Sequence, residues 1–231
     1  MSGDPRFLLI RNFDLWGHLS DEEYDALSIQ HCYIEAKKGQ YIYFEAYNHN
    51  KLYFLKKGFI RVGTIDDVGK QIIREILRSG EIFGQFTLEK NNLQGEFAQA
   101  YKEDVSLCAF DIRDFERLLQ SRPEISLKFS KQVGNQLFRI QNRLNNLLHK
   151  DVRTRLIEFL FAISNQEDNS SGSIVIRNYL THEDIGHLIG CSRQTATTLI
   201  NEMESVGLLE FNRKEIVIPS VKDLQKTKVV G

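Results

Sequence analysis

Residues 180–218 read LTHEDIGHLIGCSRQTATTLINEMESVGLLEFNRKEIVI, and the fold turns on how this stretch is read. Thr181 is a favoured helix N-cap, and Asp184 three residues later makes nearly a capping box. Ile185, Leu188 and Ile189 then share one helical face. Gly186 is small where a second helix has to cross closely. Gly190 stands where that first helix must end in a left-handed residue. Ser192 caps a second helix, with Ala196, Leu199, Ile200 and Met203 as its buried face and Arg193, Gln194, Thr197, Thr198 and Asn201 outward. Gly207 stops it. Leu208, Leu209 and Phe211 lead through Asn212-Arg213-Lys214 into Ile216, Val217 and Ile218, a hairpin with a basic tip.

Helix, tight turn, helix and hairpin is the layout of a winged helix-turn-helix, which lays one helix in the major groove of DNA. Arg, Gln and Thr side chains bond base edges or phosphates. The candidate DNA-binding residues are Thr181, Ser192, Arg193, Gln194, Thr195, Thr197, Thr198, Arg213 and Lys214. Arg193, Gln194 and Thr198 are expected to read bases, and Ser192, Thr195 and Thr197 to touch phosphate. A helical hairpin inside an ordinary core would share the apolar pattern. It would not require the Gly186/Gly190 placement or the Ser192-Arg193-Gln194-Thr195 start.

The string IGHLIGCSRQTATTLINEMESVGLL (185–209) resembles the DNA-binding motif of the Crp/Fnr family of bacterial transcription regulators. The resemblance extends upstream over nearly all of the chain. It implies a homodimer with an N-terminal β-roll effector domain, a long dimerisation helix and a C-terminal winged helix. Well-known Crp members carry Glu and Arg where this chain has Gln194 and Thr198, so a different operator half-site is implied.

The first half is strand-rich. Segments 32–37, 40–45, 51–56, 59–65, 71–77 and 97–110 are full of Tyr, Phe, Ile and Val, punctuated by Gly39, Lys57-Gly58 and Gly80. Short strands at this spacing suggest a sandwich or barrel. KKGQYIYFEA, LYFLKKGFIRV and SGEIFG resemble the double-stranded, jelly-roll β-roll of cyclic-nucleotide-binding type, whose Gly-Glu turn, short helix and Arg hold the cyclic phosphate. Gly80, Glu81 and Gly84 match that cassette. Gln85 stands where cyclic-AMP binders carry Glu, and Glu96-Phe97-Ala98 where they carry Arg-Ser/Thr-Ala. A carboxylate there repels a phosphate. The fold is therefore expected to carry over and cyclic-AMP binding is not. The effector pocket is assigned to Gly80, Glu81, Gly84, Gln85 and Phe97. Two readings stay open: a pure scaffold, or a different effector, uncharged or hydrophobic, in the same cavity.

From Pro123 to Lys150 the sequence holds no further proline. Val133, Leu137, Ile140, Leu144 and Leu147 recur at spacings of 4, 3, 4 and 3, a heptad seam. It matches the family's dimer helix in place and length, and operators read by helix-turn-helix dimers are palindromic. Asp151 is placed to cap the next helix, with Leu156, Phe159, Leu160 and Ile163 packing the small domain. Residues 164–173, SNQEDNSSGS, read as a surface loop, and 226–231 as a disordered tail.

Composition agrees. The 231 residues, 42% hydrophobic and 26% charged, suit two modest globular domains. No apolar run is long enough to span a membrane, and 1–11 lacks the features of a signal peptide. Cys32, Cys108 and Cys191 are odd in number and scattered, which fits a reducing cytoplasm. They are too few for an iron–sulfur cluster. His18, His31, His49 and His149 form no ligand cluster, and no catalytic motif stands out, so no enzyme activity, metal or cofactor is expected. The net charge is −1, and residues 151–231 hold nine Lys plus Arg against eleven Asp plus Glu, a net −2. That predicts weak non-specific DNA affinity.

The expected architecture is thus α+β: an effector-sensing β-roll in 1–120, a dimerisation helix in 121–150 and a winged helix in 151–231. The expected function is a homodimeric DNA-binding regulator controlled through the β-roll, with RNA polymerase as a partner where it activates. The alternative is a ligand-binding regulatory protein whose C-terminal domain binds a protein. The outward face of 193–201 lacks the apolar patch that reading needs.

Overall fold

The computed structural model describes Ser20, Glu22 and residues 31–44, 50–84, 95–164 and 172–228. The chain divides into two compact units, 1–137 and 138–231. The boundary falls inside the longest helix, so the segment read as a separate dimerisation element is shared between the two.

Unit one is built on an antiparallel sheet. Its strands are β1 (His31–Ala36), β2 (Tyr41–Phe44), β3 (Lys51–Ile65), β4 (Gln71–Arg78), β5 (Ile82–Gly84) and β6 (Glu96–Asp111). β6 pairs with β1, β2 and β3, and β3 also pairs with β4 and β5. The sequence suggests separate strands at 51–56 and 59–65. Instead one 15-residue strand runs through both, with register shifts around Lys57 where it follows β6. The reason is a bulge. Gly58 has φ +86°, and a Cβ there would sit 2.9 Å from the Asp104 carbonyl oxygen. Bulges bend a long strand so that one strand can serve two faces of a roll. Burial alternates accordingly. Leu52, Phe54, Cys108 and Phe110 form one core cluster, and Tyr53, Leu55, Leu107 and Ala109 belong to the other. A strand buried on both faces shows an apolar run rather than alternation, as Leu52 to Leu55 do.

Helix α1 (Ile112–Ser121) follows β6, its first turn capped by the Asp111 carboxylate accepting from Arg113 N–H. Phe115 of α1 and Ile125 of α2 (Pro123–His149) close the Phe54/Phe110 cluster.

Unit two holds the C-terminal half of α2, then α3 (Val152–Ile163), β7 (Ile174–Arg177), α4 (His182–Ile189), α5 (Arg193–Ser205), β8 (Glu210–Phe211), β9 (Glu215–Ile218) and α6 (Val221–Lys226). Asp151 caps α3, accepting from Thr154 N–H and from the Thr154 hydroxyl at 2.6 Å. The strands form a small sheet in the order β7-β9-β8. Leu156, Ile157, Leu160, Ile185, Ile189, Ala196, Ile200, Met203, Leu209, Ile216 and Ile218 are buried together with Leu224. Leu199, Phe159 and Ile163, expected in this core, are only half-buried. The tail is also more ordered than its composition suggests: Lys226 pairs with Asp223 and Lys228 with Glu158. Residues 229–231 and most of the 164–173 loop lie outside the described residues. No helix among the described residues is long and apolar enough to cross a membrane.

Candidate nucleic-acid interface

The two helices of the motif are fixed by their ends. The Thr181 hydroxyl accepts from Asp184 N–H at 3.1 Å and donates to the Asp184 carboxylate at 2.7 Å, while Thr181 N–H donates to the same carboxylate at 2.8 Å. This closes a full capping box around a buried Asp184. Gly190 ends α4 at φ +72°, in the left-handed region that disfavours side chains, and an added Cβ would strike Leu147 of α2. Gly186 is constrained from the other side, with the Cys191 carbonyl oxygen 2.9 Å from where its Cβ would lie. The close approach expected of Gly186 is therefore made by the turn and the start of α5.

The turn is also gripped from outside the motif. Arg155 of α3 donates to the carbonyls of Ile189 (2.8 Å), Gly190 (3.2 Å) and Lys150 (2.9 Å). Arg143 of α2 donates to the His187 carbonyl at 3.1 Å. Arg153 pairs with Glu202 of α5 at 2.6 Å. Sequence reasoning overlooked these three arginines, because their partners in α4, the turn and α5 lie 34 to 49 positions away.

Helix α5 is capped by Ser192, whose hydroxyl oxygen accepts from Thr195 N–H at 3.0 Å. Its buried residues Ala196, Ile200 and Met203 lie on one side. Arg193, Gln194, Thr195, Thr198 and Asn201 are exposed, and Thr197 is half-buried. The Thr197 hydroxyl donates back to the Arg193 carbonyl at 2.9 Å and lies 3.0 Å from His182 Nδ1. A hydroxyl has one proton. The hydroxyl is therefore held between the Arg193 carbonyl and the His182 ring, with its one proton taken up within this cluster. Burial and the nearby Arg193 both hold the His182 pKa below its ordinary value, against the pull of Glu204.

The wing is stiffened at its tip. The Asn212 side-chain oxygen accepts from the N–H groups of Lys214 and Glu215, both at 2.9 Å, an Asx turn that presents exposed Arg213 and Lys214. Asn178 ties the tip down, donating from its side chain to the Asn212 carbonyl at 2.6 Å and from its backbone to Lys214 at 2.8 Å. Phe211 donates its N–H to Glu204 of α5 at 2.8 Å and meets the His182 ring at 4.8 Å. Recognition helix, wing and the start of α4 are therefore one mechanical piece.

In unit one, Gly80 and Glu81 form a turn stitched to β3: Gly80 N–H donates to the Leu55 carbonyl at 2.8 Å, and the Glu81 carboxylate accepts from Arg78 N–H at 2.7 Å. Gly84 is left-handed at φ +100° against the Tyr53 ring. Phe97 is fully buried and pairs across from Gly63, at the far end of β3 from Gly84, which pairs with Leu52. Gln85 lies outside the described residues. Beside Phe97, the Glu96 carboxylate accepts from the Tyr43 hydroxyl and from Arg74, both at 2.9 Å, and is 13% exposed. Burial and this carboxylate push the Tyr43 hydroxyl pKa far up. Among the described residues, the Arg74 guanidinium is thus already paired with a carboxylate of the chain itself.

A profile of the cyclic nucleotide-binding domain matches residues 33–122, and a profile of the Crp-like helix-turn-helix domain matches residues 154–227. The chain belongs to the Crp/Fnr family. It is a DNA-binding transcription regulator with a cyclic-nucleotide-binding-like domain. This Crp/Fnr regulator is 26% identical, over 72% of its length and 75% of the relative's, to the cAMP-activated global transcriptional regulator CRP of Haemophilus influenzae. It is 24% identical, over 79% of its length and 82% of the relative's, to the global nitrogen regulator of Nostoc sp.. Among solved structures it resembles a CooA mutant from Carboxydothermus hydrogenoformans, with a TM-score of 0.76 and 27% identity over 93% of this chain and 95% of that one.

Proposed function

We propose that this Crp/Fnr regulator acts in the cytoplasm as a homodimer on a palindromic operator, with the β-roll setting how well the two recognition helices are placed. The observation that carries the reading is the pairing of an exposed polar face on α5 with an exposed apolar seam on α2. Leu137, Ile140 and Leu144 of the seam are 55%, 56% and 56% exposed, Leu147 is exposed too, and Val133 is half-covered. Burying a Leu or Ile fully contributes about 1.5–3 kcal/mol, so this seam favours a second copy of the same helix. Two-fold symmetry then repeats the half-site about one helical turn away.

The family's ligand class does not transfer. Among the described residues, the guanidinium of Arg74 is taken by Glu96 rather than left for a cyclic phosphate, which favours an effector of other chemistry or a protein partner. The response is a shift between dimer arrangements, favoured by whichever state the effector binds better. Where the regulator activates, RNA polymerase is its protein partner.

The test is selection from a random duplex library by the purified protein, alongside its sedimentation. A dimer that enriches a palindrome supports the reading. A monomer, or enrichment of nothing both with and without cell extract, overturns it.

A further inference from the structure

The hydrogen bonds within α5 separate the side chains that can still give or take a bond from those already committed, and we infer that Asn201 extends the base-reading stripe of Gln194 and Thr198, with the equally uncommitted Arg193 at its flank. This rests on the operator reading above and adds Asn201 as a specificity-determining residue. At 100° per residue, positions 194, 198 and 201 cluster opposite Ala196, Ile200 and Met203, which are fully buried. All three are exposed, and their side chains make no hydrogen bond to another described residue. The next position on the stripe is Ser205, whose hydroxyl donates to the Glu202 carbonyl at 2.8 Å, so the stripe ends at Asn201.

The neighbouring hydroxyls are spent. Thr197 is held between the Arg193 carbonyl at 2.9 Å and His182 Nδ1 at 3.0 Å, so its one proton is taken within the protein. Thr181 gives its proton to Asp184. A phosphate oxygen only accepts, so neither hydroxyl can bond one. Ser192 and Thr195 share a bond of 2.9 Å, which leaves one proton between them for a phosphate. Thr197 is thus a positioning residue, holding α5 against α4.

From Gln194 to Asn201 the helix rises about 10 Å, which is about three base steps of 3.4 Å. Gln and Asn both pair bidentately with the adenine N6/N7 edge, and Thr contacts a thymine methyl. The half-site is therefore A·T-rich under the stripe, with adenines toward both its ends.

The test compares full-length wild type with Asn201→Ala and Thr197→Val in library selection, followed by titration of the selected duplex and of random duplex. Ala at an exposed helix position favours the helix, so folding is not in question. Asn201→Ala is expected to lose preference at a single A·T position of the half-site and to bind the cognate duplex about tenfold more weakly or worse, with binding to random duplex unchanged. Thr197→Val is expected to weaken every sequence alike with the motif intact, and Thr197→Ser to restore it. The inference is overturned if Asn201→Ala reproduces the wild-type motif at every position, or if it weakens cognate and random duplex equally. Loss of one base preference in Thr197→Val would also overturn it. A wild type that enriches no motif under any condition removes the operator reading itself, and this assignment falls with it.

Discussion

Arg213 and Lys214 stand on a wing tip that an Asx turn and Asn178 hold in one shape. On the proposed operator, two charges delivered by a rigid loop would act on phosphates without selecting a sequence. Replacing both with Gln is expected to weaken all duplexes alike and to flatten the salt dependence of log K by about 0.9 for each phosphate no longer neutralised. Titrations at several salt concentrations measure this, and an unchanged slope would take the wing off the DNA. His182 makes a second prediction. Its folded pKa lies below the ordinary value of 6.5, chiefly through burial. The unfolded chain therefore takes up the proton first, so this contribution to stability is complete above pH 6.5 and is lost as pH falls through 6.5, levelling off below the folded value. Thermal unfolding at pH 5.5 and 7.5 should show a smaller drop for His182→Gln than for wild type.

At the scale of elements, the grip of Arg155 on three carbonyls joins α3 to the helix-turn-helix turn. Arg155→Met keeps the aliphatic stem and removes the donors. It is expected to destabilise unit two by about 1.5–3 kcal/mol, the range for hydrogen bonds to a charged group, seen as a lowered denaturation midpoint. Elements were legible wherever their cause is local. Thr181 with Asp184, Gly190, Ser192 and Pro123 each mark a boundary within a few residues of its physical reason. The roll was legible as strands but not as their joins, since Lys57-Gly58 becomes a bulge only because β6 passes Asp104 alongside. β7, α1 and α6 carry no sequence expectation. β7 and α6 are 4 and 6 residues long, too short for a period to declare itself, and β7 is held by β9 forty residues on. The candidate site was read in outline. Residue types and outward positions were visible, but the commitment of Thr197 depends on His182, fifteen positions away.

For the molecule as a whole, the ligand question has a direct test. The Glu96–Arg74–Tyr43 cluster predicts that titration calorimetry with cyclic AMP shows no saturable binding and that operator affinity is unchanged by it. Saturable binding would show that the cluster opens. Dimerisation through α2 is equally testable. Ile140→Glu places like charges face to face across the proposed two-fold axis, and sedimentation should report a monomer with greatly reduced operator affinity.

The apolar seam of α2 also bears on gene dosage. If the proposed second copy covers this surface, folding is tied to association, so the melting temperature should climb as the protein is concentrated. Below the dissociation constant of the pair, the amount of competent regulator grows as the square of its copy number. A cell that doubles synthesis of such a chain would gain about fourfold in active protein, which makes its own abundance a control input alongside any effector.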